Sequence, residues 1–156
     1  MTDLRSAPIP QLRDDDHVRG EGELAYFYGD FACPFCAVAH ERISASPPTR
    51  RVFRHFALKA KHPRAVPLAL AAEAAALQGA FWEFHDSLYA DQGRLDDPHL
   101  WERAEQLGLD VARFDADRRS PAVAERVARD VREAMRAGIV TTPTVVVGGV
   151  LMPGWR

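Results

Sequence analysis

The two cysteines of the chain, Cys33 and Cys36, are the residues whose spacing points most directly to chemistry. Pro34 and Phe35 separate them, and the helix-forming run 37–43 follows. A cysteine at a helix N-terminus faces unsatisfied backbone N–H groups and the positive end of the helix dipole, which favours thiolate over thiol. This pattern predicts that Cys33 is a nucleophile and that Cys36, one turn later, forms a disulfide with it.

This C-x-x-C pattern has two other interpretations. It could be half of a zinc site completed by His40, His55 or His62, but structural zinc usually has two compact ligand pairs and the chain has no second cysteine pair. The cysteines could also be inert core residues. The elements around them favour the redox interpretation.

Those elements begin with two predicted strands that flank the predicted helix. The apolar run 24–28, which Gly29 ends, is typical of a buried strand, and residues 51–56 predict a second one. A strand, a helix and a second strand form a βαβ unit, which requires a parallel sheet. The cysteines would then lie where the first strand gives way to the helix.

The rest of the chain predicts helices followed by a hairpin. Helical patterns extend from about residue 67 to 107, and another helix opens at Ser120-Pro121 and ends at Gly138. Residues 139–151 predict a loop, a strand, a Gly-Gly turn and a short last strand. The predicted order is therefore β-α-β, a helical block and ββ, an α/β fold.

Composition limits the kind of protein and its partners. The chain has 156 residues, 47% hydrophobic and 27% charged, as expected for one globular domain, and its net charge of −2 argues against nucleic acid or an anionic membrane as a partner. It contains no run of ~18 apolar residues and no apolar leader, which predicts a cytoplasmic location. Residues 1–22, with the acidic run 14–16, predict a mobile, solvated tail before a domain at 23–156.

Four segments together resemble one known family: YGDFACPFC at 28–36, VFRHFAL at 52–58, GAFWEFHD at 79–86 and TPT at 142–144. Their types and order are similar to those of the DsbA-like thiol oxidoreductases of the thioredoxin superfamily, and the similarity spans roughly residues 16–151. The resemblance implies a thioredoxin fold with a helical insertion at about 64–119, between the βαβ half and the ββ half.

The resemblance also implies roles for individual residues. Cys33 would be the attacking thiol and Cys36 the resolving one, with Pro34 and Phe35 tuning Cys33. Pro143 matches a cis proline that faces the active site in this superfamily. A cis turn there would leave the backbone before it, at residue 142 (Thr142), free to bind an extended substrate chain, so Thr142 and Pro143 are expected to bind substrate.

The sequence departs from the family pattern in three places. The dipeptide Pro34-Phe35 lacks the histidine of DsbA itself, which removes one stabiliser of the thiolate. Phe27 occupies the position of a buried acid that assists proton transfer, for which Glu23 or Asp30 could substitute, although a turn aspartate is more often a cap. The chain stops where the family continues into a covering helix. The apolar run 145–151 therefore needs cover from the N-terminal tail, from the last residues or from a second copy of the chain, which would make a homodimer.

The predicted function is thiol–disulfide exchange with protein or peptide dithiols, with glutathione as a further candidate partner and without a bound metal or nucleotide cofactor. Two rival functions stay open. One is a glutathione-dependent enzyme similar to the kappa glutathione transferases or the chromene-carboxylate isomerases. The other is a peptide-binding or chaperone-like scaffold whose cysteines sense redox state.

Overall fold

A five-stranded mixed sheet forms the centre of the molecule in a computed structural model that describes residues 7–156. The strands lie in the order β1-β3-β2-β4-β5. β2 and β3 are parallel, and the remaining neighbours are antiparallel. The strand bounds are β1 His17–Arg19, β2 Glu23–Gly29, β3 Thr49–His55, β4 Thr144–Val147 and β5 Val150–Pro153.

Six helices complete the described part of the chain, and one of them, α1, connects the two parallel strands. Their bounds are α1 Pro34–Ala45, α2 Ala65–Ala76, α3 Phe81–Ala90, α4 Asp97–Gln106, α5 Val111–Asp117 and α6 Pro121–Arg136. The Ser120 hydroxyl accepts the backbone N–H of Val123 and so caps α6. The predicted α/β thioredoxin fold is confirmed, with four helices between β3 and α6.

The core lies on both faces of the sheet because β2 and β3 are buried on both sides. On one face, Phe27, Phe31 and Phe53 stack with ring centroids 5.0–5.9 Å apart and pack with α3. On the other face, Tyr28 and Val146 pack with residues of α6 and the loop that follows it. The central strand β2 thus fixes its last residue, Gly29, between two packed layers.

The N-terminal segment belongs to the sheet, which corrects the predicted start of the domain. β1 pairs with β3, and the Asp16 carboxylate binds the guanidinium of Arg54 at 2.8 and 3.0 Å. Both side chains are fully buried. The prediction of a solvated acidic run is wrong for Asp16, because Arg54 is held inside the fold by β3 and a buried cation needs a partner. Residues 1–6 of the predicted tail lie outside the described residues.

Residues of the same chain cover most of the apolar hairpin, although Val150 is 62% exposed. Ile9 packs with Leu151 against the cluster that contains Val146, while Met152 and Trp155 pack against the cluster on the other face. The N-terminal segment and the last residues thus provide cover that a second copy was expected to supply, and the homodimer stays a prediction. Among residues 7–156, the structure has no helix with the length and apolar character needed to cross a membrane.

Candidate active site

The loop that carries the cysteines begins where the parallel strands end. β2 ends at Gly29 and β3 at His55, its register partner, so both carboxyl ends open at one edge of the sheet. A tight turn follows, in which the Cys33 N–H donates to the Asp30 carbonyl at 3.1 Å and the Ala32 N–H donates to the Asp30 carboxylate at 2.8 Å. This turn places Cys33 at the N-cap of α1.

Cys33 is the N-cap residue of α1, and its side chain is surrounded by hydrogen-bond donors. The Cys33 and Cys36 side chains lie 3.5 Å apart. The pKa of Cys33 is lowered to about 5 despite burial, mainly because the Cys36 thiol donates a hydrogen bond to the Cys33 sulfur. The Thr142 hydroxyl and the backbone N–H groups of Cys36 and Phe35 add to this effect. Cys33 is therefore a thiolate at neutral pH, the form that attacks disulfides.

Cys36 has the opposite electrostatic environment. Its side chain is fully buried, and burial together with the neighbouring Cys33 sulfur raises the pKa of Cys36 far above its usual range. Two cysteines one helical turn apart thus hold different protonation states. In such a pair one sulfur can attack a disulfide while the other stays protonated until it resolves the mixed disulfide.

The loop before β4 faces the two sulfurs. The Thr142 carbonyl lies 3.8 Å from the Cys33 sulfur, and the Thr142–Pro143 peptide bond is cis. Pro34 and Phe35 are exposed, and the guanidinium of Arg156 lies 4.2 Å from the centre of the Phe35 ring. The six residues predicted to carry catalysis or bind substrate therefore lie at one edge of the sheet.

The helical insertion contributes two residues that sequence reasoning missed. Gln92, just after α3, donates its side-chain amide to the carbonyls of Phe31 at 2.9 Å and Cys33 at 3.0 Å. The Tyr89 hydroxyl donates to the Asp30 carbonyl at 3.3 Å and also contacts the Cys36 sulfur. These contacts join positions about 60 residues apart in the chain, and no local spacing signals them.

Two of the three histidines considered as zinc ligands make other contacts. His55 lies 2.7 Å from the Glu73 carboxylate, and Arg51 donates to the Nδ1 atom of His40 at 2.8 Å. Within the described ranges, the group of three potential metal ligands close enough to share an ion is His40, His85 and Asp86, without either cysteine. The zinc interpretation of the C-x-x-C pattern therefore gains no support from the arrangement.

Of the two acids considered as substitutes for Phe27, one lies at the site. Glu23 is exposed and starts β2, at the opposite end from the cysteines. Asp30 follows the strand directly and is 2% exposed. Gly29 makes this packing possible, because a Cβ atom there would come within 2.9 Å of the Tyr89 hydroxyl.

Comparison with known proteins gives a family match and two kinds of relatives. The family model described as a DSBA-like thioredoxin domain matches residues 52–155. A curated relative named Na(+)/H(+) antiporter NhaA 1, from Salinispora arenicola, is 44% identical over 151 residues, which cover 90% of this chain and 23% of the relative. The chain spans about a quarter of the length of the curated relatives it matches.

Solved structures share the fold over most of their length. A thioredoxin-like oxidoreductase from Silicibacter pomeroyi DSS-3 superposes with a TM-score of 0.81 and 27% identity, covering 92% of this chain and 86% of the other. The thiol-disulfide exchange protein alpha-DsbA2 from Wolbachia pipientis gives 0.75 at 17% identity, covering 89% and 79%. At that identity, the second comparison concerns the fold alone.

Proposed function

Because the chain belongs to the family of DSBA-like thioredoxin domains, we propose that it is a thiol–disulfide oxidoreductase that exchanges disulfides with protein or peptide dithiols. The observation that carries the proposal is the unequal pair of thiols: Cys33, with a pKa of about 5, lies 3.5 Å from the protonated, buried Cys36. An oxidoreductase function in general agrees with the similarity to the Silicibacter oxidoreductase.

In the proposed reaction, the Cys33 thiolate attacks one sulfur of a substrate disulfide. The bond between the substrate sulfurs breaks, one substrate thiolate leaves, and a mixed disulfide joins Cys33 to the other half. Cys36 then loses its proton and attacks the Cys33 sulfur, which releases the second substrate thiolate and forms the Cys33–Cys36 disulfide. Run in reverse, the same steps oxidise a substrate dithiol.

The loop at Thr142 provides the proposed substrate contact. Its backbone lies against the Cys33 sulfur, where an extended peptide can pair with it as an added strand. Phe35 is 50% exposed beside Cys33 and offers an apolar contact to the same peptide. A protein or peptide substrate fits this open edge. Glutathione as a further partner and a homodimer with a second copy of the chain remain predictions.

Two assays test the proposal with a variant in which both cysteines are serine. We expect the wild-type protein to accelerate insulin reduction by dithiothreitol, or the oxidative refolding of reduced ribonuclease in a glutathione buffer. The double variant should do neither. Equal rates with wild type and the double variant would contradict the proposal, because only the cysteines distinguish them.

A second candidate function is a redox-sensing domain that serves an ion transporter. The observation that favours it is the 44% identity to a part of a protein named as a Na(+)/H(+) antiporter. A sensor would cycle between dithiol and disulfide without turning over a substrate. Cysteine oxidation without catalysis in either assay would favour this candidate, and multiple turnovers would favour the oxidoreductase. The cytoplasmic location likewise remains a prediction.

A further inference from the structure

Resting on the proposed function, we propose that Asp30 accepts the proton of Cys36 when the mixed disulfide is resolved, and that His62 passes this proton to solvent. Cys36 needs such a partner because it is buried, protonated and must become a thiolate to attack Cys33. Phe27, whose ring stacks with that of Phe53 at 5.9 Å between centroids, cannot accept a proton.

Asp30 contacts both halves of the active-site loop. Its backbone N–H donates to the Cys36 sulfur, its carbonyl accepts the Cys33 N–H at 3.1 Å, and its carboxylate holds the turn through the N–H of Ala32. Two backbone contacts therefore hold Asp30 against both cysteines, the Ala32 N–H fixes its carboxyl group, and that group is close enough to Cys33 for the thiolate charge to raise its pKa. Its second oxygen, Oδ2, takes no part in the turn.

His62 gives that free oxygen a way out to solvent. Its Nε2 atom lies 3.9 Å from Asp30 Oδ2, and its side chain is 33% exposed while that of Asp30 is 2% exposed. Among residues 7–156, the side chain in ion-pair range of this carboxylate is His62 alone, with no lysine or arginine. A buried carboxylate without a permanent cation is costly unless it can take up a proton.

The groups around Asp30 set its proton affinity at a useful level. Burial raises the pKa of Asp30 to about 6, and the nearby Cys33 thiolate acts in the same direction. The Ala32 hydrogen bond and the charges of His62 and His55 oppose this rise. The Tyr89 hydroxyl faces its carbonyl and keeps its own proton, since burial raises the pKa of Tyr89. Asp30 can therefore be a base at neutral pH and release the proton again.

The proposed step balances in atoms and electrons. The Cys36 thiol transfers its proton to the Asp30 carboxylate, and the resulting Cys36 thiolate attacks the sulfur of Cys33. The Cys33–substrate bond breaks, and its electron pair leaves with the substrate sulfur. Attack by Cys36 makes the new disulfide, while Asp30 returns its proton to water through His62. Formation of the mixed disulfide also neutralises the Cys33 thiolate, which favours a charged Asp30 as resolution begins.

Asp30→Asn is the appropriate test because the amide oxygen can still accept the Ala32 N–H while the basic carboxylate is lost. The reduced protein is mixed with a fluorescent model peptide disulfide, and release of the first and second thiols is followed by stopped flow from pH 5 to 10. We expect second-thiol release to slow about 100-fold at pH 7. The inflection near pH 6 in the pH profile of wild-type second-thiol release should be absent from the variant. The second-thiol rates of wild type and Asp30→Asn should converge at alkaline pH.

His62→Gln should slow the same step less and leave first-thiol release unchanged. Asp91→Asn, an exposed aspartate just after α3, is the matched control and should behave as wild type. An unchanged pH profile in Asp30→Asn, or slowing by the same factor at every pH, would overturn the role of Asp30. An unchanged rate in His62→Gln would overturn the exit route. A wild-type protein that releases neither thiol would instead contradict the proposed function.

Discussion

Protonation of Cys33 provides a quantitative test of the active-site electrostatics, through the pH dependence of the reduced protein's stability. The Cys33 pKa falls from 9.0 to about 5 in the folded state. A depressed folded pKa gives stability that is fully present above the unfolded pKa and is lost as pH falls through the folded one. The relevant window therefore extends from about pH 9 down to about pH 5.

The size of the effect follows from this difference. At pH 7 the folded thiol is two pH units above its pKa and the unfolded thiol is still protonated, so ionisation stabilises the reduced protein by about 2.7 kcal/mol. The oxidised protein has no thiolate and gains nothing. Because this free energy favours the reduced form, the Cys33–Cys36 disulfide should be about 60 mV more oxidising at pH 7 than one formed from ordinary thiols.

Urea unfolding of the reduced wild type and of reduced Cys33→Ser, at pH 5 and pH 7, measures this contribution. Subtracting the variant removes the other groups that titrate in this range. We expect the unfolding free energy of wild type, relative to that of Cys33→Ser, to increase by more than 2 kcal/mol from pH 5 to pH 7, because Cys33 ionises in the folded state over this range. A difference that is the same at both pH values would refute the assignment of a thiolate to Cys33.

Three further predictions follow from the contacts around the site. Cys36→Ala removes the strongest donor to Cys33 and should raise the pKa of Cys33 measured by iodoacetamide alkylation, while Cys36→Ser, which keeps a hydroxyl donor, should raise it less. Because the pKa of Asp30 is raised, the native state binds more protons than the unfolded state between pH 3.8 and 6, and its stability falls as pH rises through this range. Asp30→Asn should therefore have a higher unfolding free energy than wild type in urea at pH 7, by up to about 3 kcal/mol. Asp16→Asn leaves the buried Arg54 guanidinium without its counter-charge and should lower the unfolding free energy by about 3 kcal/mol in the same assay.

The sequence predicted the elements around the cysteines well because local signals govern them. The apolar run of β2, the proline that opens α1 and the glycines of the β4–β5 turn each restrict the backbone at their own positions. The parallel pairing of β2 and β3 then follows from the intervening helix. This alone brings Cys33 and Cys36 to the edge of the sheet.

Contacts between distant segments could not be predicted in the same way. Tyr89 in α3 and Gln92 just after it contact the cysteine loop, and Arg54 holds the N-terminal segment against the core. The partners of these side chains lie far away in sequence. Asp16 looked like part of a solvated charge run because its partner is 38 residues away. Asp30 had a local signal, as an acid directly after a buried strand, but its burial depends on Tyr89 and the packed sheet.

Trapping of a mixed disulfide tests the division of roles between the two cysteines most directly. Cys36→Ser and Cys33→Ser are each incubated with a peptide disulfide, and covalent adducts are detected by intact mass spectrometry without reductant. We expect Cys36→Ser to accumulate the adduct on Cys33, because the thiolate attacks but nothing resolves the product, while Cys33→Ser stays unmodified. Adducts formed equally fast by both variants, or by Cys33→Ser alone, would contradict this division of roles.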